Sequence, residues 1–198
     1  MRDQWYSDKR DLVKWSVLLL LAEKCEADRI IQIACYNASK FEEIEIDGKP
    51  VSIPTEVISH FRNIEKISEL TTHPKITIFD AAFEQRDRNS YFEAAKNLMA
   101  SFNKECCIVF LDPDTGLEPK GKADEKHVLE PELKVIWDAL PKDWMLVFYQ
   151  HQTNKNGQEW IEPKREQFAN AIGIHESLAK KAYGPKVAND VVFFFSTK

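Results

Sequence analysis

Glycine is scarce in this chain, at 6 of 198 residues with none before Gly48, about 3% where average usage is near 7%. Loops that cradle phosphate need glycine so that backbone amides can approach the anion closely. The first part of the chain therefore has no such loop. Long apolar runs are also missing: Val17 to Ala22 is far short of the ~20 residues a membrane helix requires. Met1-Arg2-Asp3-Gln4-Trp5 is too acidic and too weakly apolar for a signal peptide, so a cytosolic protein with no membrane partner is expected. Basic excess is absent too. Lys+Arg 27 against Asp+Glu 32 gives a net charge of -5, which does not suggest nonspecific phosphate-backbone binding. The four cysteines form no CxxC pair, and buried, reduced thiols are expected.

What is present is alternation between two hydrophobic periods. Asp8 to Asp11 has the pattern of a helix start, with Asp8 as cap and Asp11 in the capping-box position, and the helix is predicted to run to about Lys24. Arg29 to Tyr36 reads as a buried strand. Alternation on both sides of Asp47-Gly48 predicts an inserted β-hairpin over about 41–53, with Pro50 on an edge arm. The spacing of Val57, Phe61, Ile64, Ile67 and Leu70 predicts one amphipathic helix. Lys75 to Asp80 is a strand, Ser90 with Glu93 a second capping box opening a helix, and Cys107 to Asp112 another buried strand. Pro131 to Leu140 is a helix, Trp144 to Tyr149 a strand, Pro163 to Ile172 a helix ended by Gly173, and Val191 to Phe195 a closing strand. The sum is a single α/β domain over residues 1–198, a three-layer, Rossmann-like open sheet, mostly parallel, with a terminal antiparallel strand.

In such sheets ligands sit beyond the carboxyl ends of the strands, which selects Tyr36, Asp80, Asp112 and Tyr149 with their following loops. Asp112-Pro113-Asp114-Thr115-Gly116 places two carboxylates two residues apart, directly after a buried strand. Such a pair holds a divalent cation through oxygen ligands, or divides into acid and base when the environment separates the two pKa values. The same letters also make an ordinary turn, with glycine at positive φ. Tyr149-Gln150-His151-Gln152-Thr153-Asn154 gathers a phenol, an imidazole and carboxamides beside it, with His151 a base, ligand or hydrogen-bond donor. His60, His73, His127 and His175 lack metal-ligand spacing and read as structural or solvated.

Taken in order, these segments resemble the Rossmann-like S-adenosylmethionine-dependent methyltransferases, in particular the branch that methylates adenine amino groups in nucleic acid. Arg10-Asp11-Leu12-Val13-Lys14-Trp15 is similar to a segment that precedes the first strand in one rRNA-adenine family. Asp112-Pro113 matches the first two letters of the branch's Asp-Pro-Pro-aromatic motif, and Asp80-Ala81 resembles its cofactor-contacting acidic turn. The resemblance implies S-adenosylmethionine near Tyr36, Asp80, Ala81 and Lys14, with chemistry at Asp112, Asp114, Tyr149 and His151 and a nucleic acid or nucleotide-like partner. The chain departs from the pattern in two places. Ile33 to Ala38 has no glycine, and Asp114-Thr115 replaces the second proline and the aromatic. These departures imply an altered or lost cofactor site. Asp112-x-Asp114-Thr115-Gly116-Leu117 is also similar to the first motif of haloacid-dehalogenase-like phosphatases, which implies Mg2+ at Asp112 and Asp114. A non-catalytic binding module is the third reading.

Overall fold

Six strands line up in the order β4-β1-β5-β8-β10-β9. The computed structural model describes residues 8–36, 43–61, 63–121, 123–152, 154 and 159–198, with the side chains of His60 and Phe61 outside the description. Strands β1 (Arg29–Ile33), β4 (Lys75–Phe79), β5 (Cys107–Leu111) and β8 (Met145–His151) run parallel. Strand β10 (Ala188–Thr197) is antiparallel to both β8 and β9 (Lys180–Gly184). The hairpin of β2 (Glu43–Ile46) and β3 (Lys49–Ser52) forms as expected, with Asp47 and Gly48 both at positive φ, as a two-residue turn of this kind requires. Phe41 and Glu42, its expected first residues, lie outside the described residues. The α/β class, the mostly parallel central sheet and the antiparallel closing strand all agree with expectation.

Period-2 alternation sorts the sheet's side chains into two cores. Helix α1 (Lys9–Lys24) covers one face, where Val13, Leu18, Leu21 and Ala22 meet Ile30, Ile108, Phe110, Val147 and Phe193. Helices α3 (Arg88–Ala100), α4 (Glu130–Ala139) and α5 (Ile161–Ile172) cover the other, over Ile31, Ile33, Val109, Leu111, Leu146 and Phe148. At ~25 cal/mol per Å² of apolar surface removed from water, these two interfaces are the main stabilising term. They also explain why the central strands are apolar on both faces over most of their length instead of at alternate positions.

The structure departs from the sequence reading in several places. The helix expected from Thr55 to Leu70 is broken into α2 (Thr55–Phe61) and a 3-10 helix at Ile64–Glu69, which still buries Ile64 and Ile67. Helix α3 starts at Arg88, so Ser90 lies inside the first turn and caps nothing. Strand β1 ends at Ile33 because Cys35 takes φ 42, although Tyr36 still bridges to Ala82. Strand β9 was not expected: its Lys-rich sequence lacks the buried-strand signature because it is an exposed edge. A short parallel pair, β6 (Gly116–Leu117) with β7 (His127–Val128), was also missed. Cys35 and Cys107 are buried thiols, whereas Cys25 and Cys106 are only partly so. Among the described residues no helix is long and apolar enough to cross a membrane.

Candidate functional site

The chain leaves β1 toward β4 on one side and returns to β5 on the other, so the strand order reverses between β1 and β5. On the α1 face, the alternation brings Gln32 of β1, Asp112 just past β5, and Tyr149 and His151 of β8 to the same edge. Helix α1 starts above them. Asp8 caps it by accepting from the Arg10 and Asp11 amides, and the first turn then lowers Lys14 between two carboxylates. Lys14 Nζ donates to Asp11 Oδ1 at 2.7 Å and to Asp112 Oδ2 at 2.9 Å, the second contact spanning 98 residues of sequence. Asp11 thus serves Lys14. Gln32 Nε2 donates to the same Asp112 oxygen at 2.7 Å.

Lys14 and Asp112 are 4% and 1% exposed, so this is a charge cluster removed from water. Burial by itself lowers the Lys14 pKa, but the negative charges of Asp112 and Asp11 outweigh it and hold the ammonium well above its ordinary value. Lys14 is therefore a permanent cation and not a proton carrier. Its ammonium lies 5.5 Å from the centre of the Tyr149 ring. Burial, opposed by Lys14, raises the Tyr149 pKa, which keeps the phenol protonated as a hydrogen-bond donor.

A cleft of about 300 Å³ opens above this cluster, lined by Arg10, Lys14, Asp112, Asp114, Tyr149 and His151, with Thr115 and Lys126 at its wall. Five of the residues singled out in the sequence thus share one site: Asp112, Asp114, Tyr149, His151 and Lys14. Tyr36 and Asp80 do not join them. They line a separate depression of about 440 Å³ with Ser59 and Asn63, and Ala81 is exposed beside Asp80.

The segment that follows Thr115 is held by one glycine and one glutamine. Gly116 takes φ +136, and a Cβ there would lie 2.4 Å from the Gln150 carboxamide carbon. Gln150 lies flat on that bare backbone, accepting from the Leu117 amide at 2.9 Å and donating to the His151 carbonyl at 2.8 Å. The His151 amide in turn donates to the Thr115 carbonyl at 2.8 Å. His151 has Nδ1 2.8 Å from the Gln152 carbonyl and Nε2 3.4 Å from Asp190 Oδ2. Both ring nitrogens thus face acceptors, and the ring is placed to orient groups. Arg10 Nε holds the same Asp190 oxygen at 3.0 Å. Burial raises the Asp190 pKa, but the Arg10 bond and charge outweigh it and leave the carboxyl below its ordinary value.

Compared with family profiles, curated proteins and solved structures, the chain matches none. The site must therefore be read from its own chemistry.

S-adenosylmethionine, implied by the resemblance, needs free backbone amides where β1 ends. Among the described residues there, the amides of Ala34 and Cys35 are used internally. The Ala34 amide donates to the Phe79 carbonyl at 3.1 Å and the Phe83 amide to the Tyr36 carbonyl at 2.8 Å. The Cys35 amide donates to the Tyr91 hydroxyl at 2.9 Å, and the Phe79, Phe83 and Phe92 rings surround Tyr91. The residues present do not fit the cofactor at that place. The magnesium reading meets a different obstacle. The Lys14 ammonium already lies against the Asp112 oxygen where a cation is needed, and among the described residues no three His, Cys, Asp or Glu side chains converge as a ligand set.

Sequence reasoning missed Gln32, Arg10, Lys126 and Asp190 as members of this cluster. Gln32 had a readable signal, a single carboxamide in the apolar strand Arg29–Ile33. A polar side chain at a buried strand position needs a partner across the sheet. Asp190 enters through the antiparallel register of β10, which no local pattern encodes.

Proposed function

We propose that this chain is a methyltransferase-like α/β protein that has lost the ordinary S-adenosylmethionine site and binds a nucleotide-like small ligand in the Lys14–Asp112–Tyr149–His151 cleft. One observation carries the reading. The two segments that resemble the adenine-methylating branch, Arg10 to Trp15 and Asp112-Pro113, lie far apart in sequence and meet directly through the Lys14–Asp112 pair. The strand order, with β10 antiparallel between β8 and β9, supports the same relationship. Asp112 and Asp114 offer acceptors for the amino and ring N–H groups of a base, and the buried phenol of Tyr149 offers a donor. A volume of about 300 Å³ is at the small end for ligand sites, which suits a mononucleotide.

The test is calorimetry with adenosine, cytidine, their 5'-monophosphates and S-adenosylmethionine. Saturable heat is expected for at least one nucleoside or nucleotide, weakened about tenfold or more in Asp112→Asn, since a hydrogen bond to a charged group is worth about 1.5–3 kcal/mol. S-adenosylmethionine is expected to bind no tighter than adenosine. Tighter binding would show the cofactor site to be intact, and absence of heat with every nucleoside and nucleotide would overturn the reading.

A further inference from the structure

Three residues that carry hydrogen-bond donors line the cleft with no side-chain partner among the described residues. Tyr149 is 6% exposed, yet its hydroxyl makes no hydrogen bond to a described residue while its residue lines the cleft. The half-buried Lys126 ammonium makes no ion pair or hydrogen bond among the described residues, and neither does the Thr115 hydroxyl. The backbone holds the three in fixed relation. The Thr115 amide donates to the Lys126 carbonyl at 2.9 Å and the Thr115 carbonyl accepts from the His151 amide at 2.8 Å, which places both beside the end of β8 that carries Tyr149. An ammonium and two hydroxyls lining one cleft match the oxygens of an anion.

We propose that Lys126, Tyr149 and Thr115 form an oxyanion subsite that takes the phosphate group of a small phosphorylated ligand. The inference rests on the ligand-binding reading of this cleft and names the group that anchors the ligand. A phosphate group presents three oxygens to the three donors, where a carboxylate presents only two.

Inorganic phosphate is the probe, titrated into the full chain in a phosphate-free buffer at constant ionic strength, with acetate and chloride as comparison anions. Phosphate is expected to raise the melting temperature saturably, acetate and chloride not. Tyr149→Phe, which removes only the hydroxyl, and Lys126→Met are each expected to weaken phosphate binding about tenfold, as for one charge-assisted hydrogen bond, while Lys142→Met leaves it unchanged. Equal responses to the three anions, or wild-type binding by both cleft variants, would overturn the proposal. Nucleosides that bind without any phosphate effect would remove this subsite and leave the broader reading standing. Phosphate binding with no nucleoside or nucleotide binding would do the reverse.

Discussion

The carboxyl end of β1 and the carboxyl ends of β5 and β8 lie side by side and have opposite characters. At the end of β1 the amides of Ala34 and Cys35 are satisfied within the protein, and Phe83, Tyr91 and Phe92 fill the space beyond them. At the ends of β5 and β8 the edge stays open and polar, with Lys14 and Asp112 buried as charges and the Tyr149 hydroxyl without a hydrogen-bond partner among the described residues. The first region spends its polar groups on the fold and the second holds some in reserve. A strand end at a topological switch point is therefore not a site by position alone. It becomes one where burial leaves donors and acceptors unspent.

The contrast is broken most severely at Lys14. Replacing it with methionine leaves Asp11 and Asp112 facing each other without their cation, and losing one partner of a buried charge cluster costs roughly 3–5 kcal/mol. Urea denaturation of Lys14→Met should show a loss of that size, partly restored in Lys14→Met/Asp112→Asn. If the single variant loses less than about 1 kcal/mol, the cluster is solvated and the charged character of the open end is wrong.

The closed end is probed by Tyr91→Phe, which removes the acceptor of the Cys35 amide together with the hydroxyl's bond to the Cys35 side chain. A buried N–H left unsatisfied costs about 1–3 kcal/mol, so a denaturation loss in that range is expected. The Cys35 thiol, pushed up to about 12 by burial, should stay unreactive to a thiol reagent in the folded variant. Rapid labelling of Cys35 would mean that the hydroxyl, and not the aromatic packing, keeps this end shut.

The smallest effect is at the rim of the open end, in the Arg10–Asp190 pair. Asp190 has a folded pKa below its ordinary value of 3.8. Its contribution is therefore present above that value and lost as pH falls through the folded pKa. Because both partners are partly exposed, Arg10→Gln should cost about 1 kcal/mol or less near neutrality. The difference between variant and wild type should shrink as pH falls below about 3.8. A difference that persists unchanged in acid would show that Arg10 acts through packing.

The two ends also differ in how far they were legible in the sequence. Buried strands declare themselves through continuous apolar runs, so β1, β5 and β8 were readable, and Asp112 and Tyr149 followed from their position at strand ends. Lys14 was found through a resemblance in the letters around it. Its ion pair with Asp112 depends on how α1 docks on the sheet, which is tertiary information. Gln32 was available in principle as a polar letter in an apolar strand. Asp190 and Lys126 were not, since each depends on a pairing between segments distant in sequence. The closing of the β1 end was foreshadowed by the missing glycine. That Phe83 and Tyr91 fill the space was not, because both read only as parts of a hydrophobic stripe or loop.

Strand β10 is threaded between β8 and β9, and it delivers Asp190 to the rim of a cleft whose other wall begins at Asp8. The cleft is thus a product of the whole chain and not of any contiguous segment. During synthesis, α1 and the parallel strands can begin to pack before residues 188–197 emerge, but no ribosome-bound intermediate lacking them has a finished site. Such long-range pairing slows folding relative to locally wired folds. The cleft is then completed late, when the fold closes.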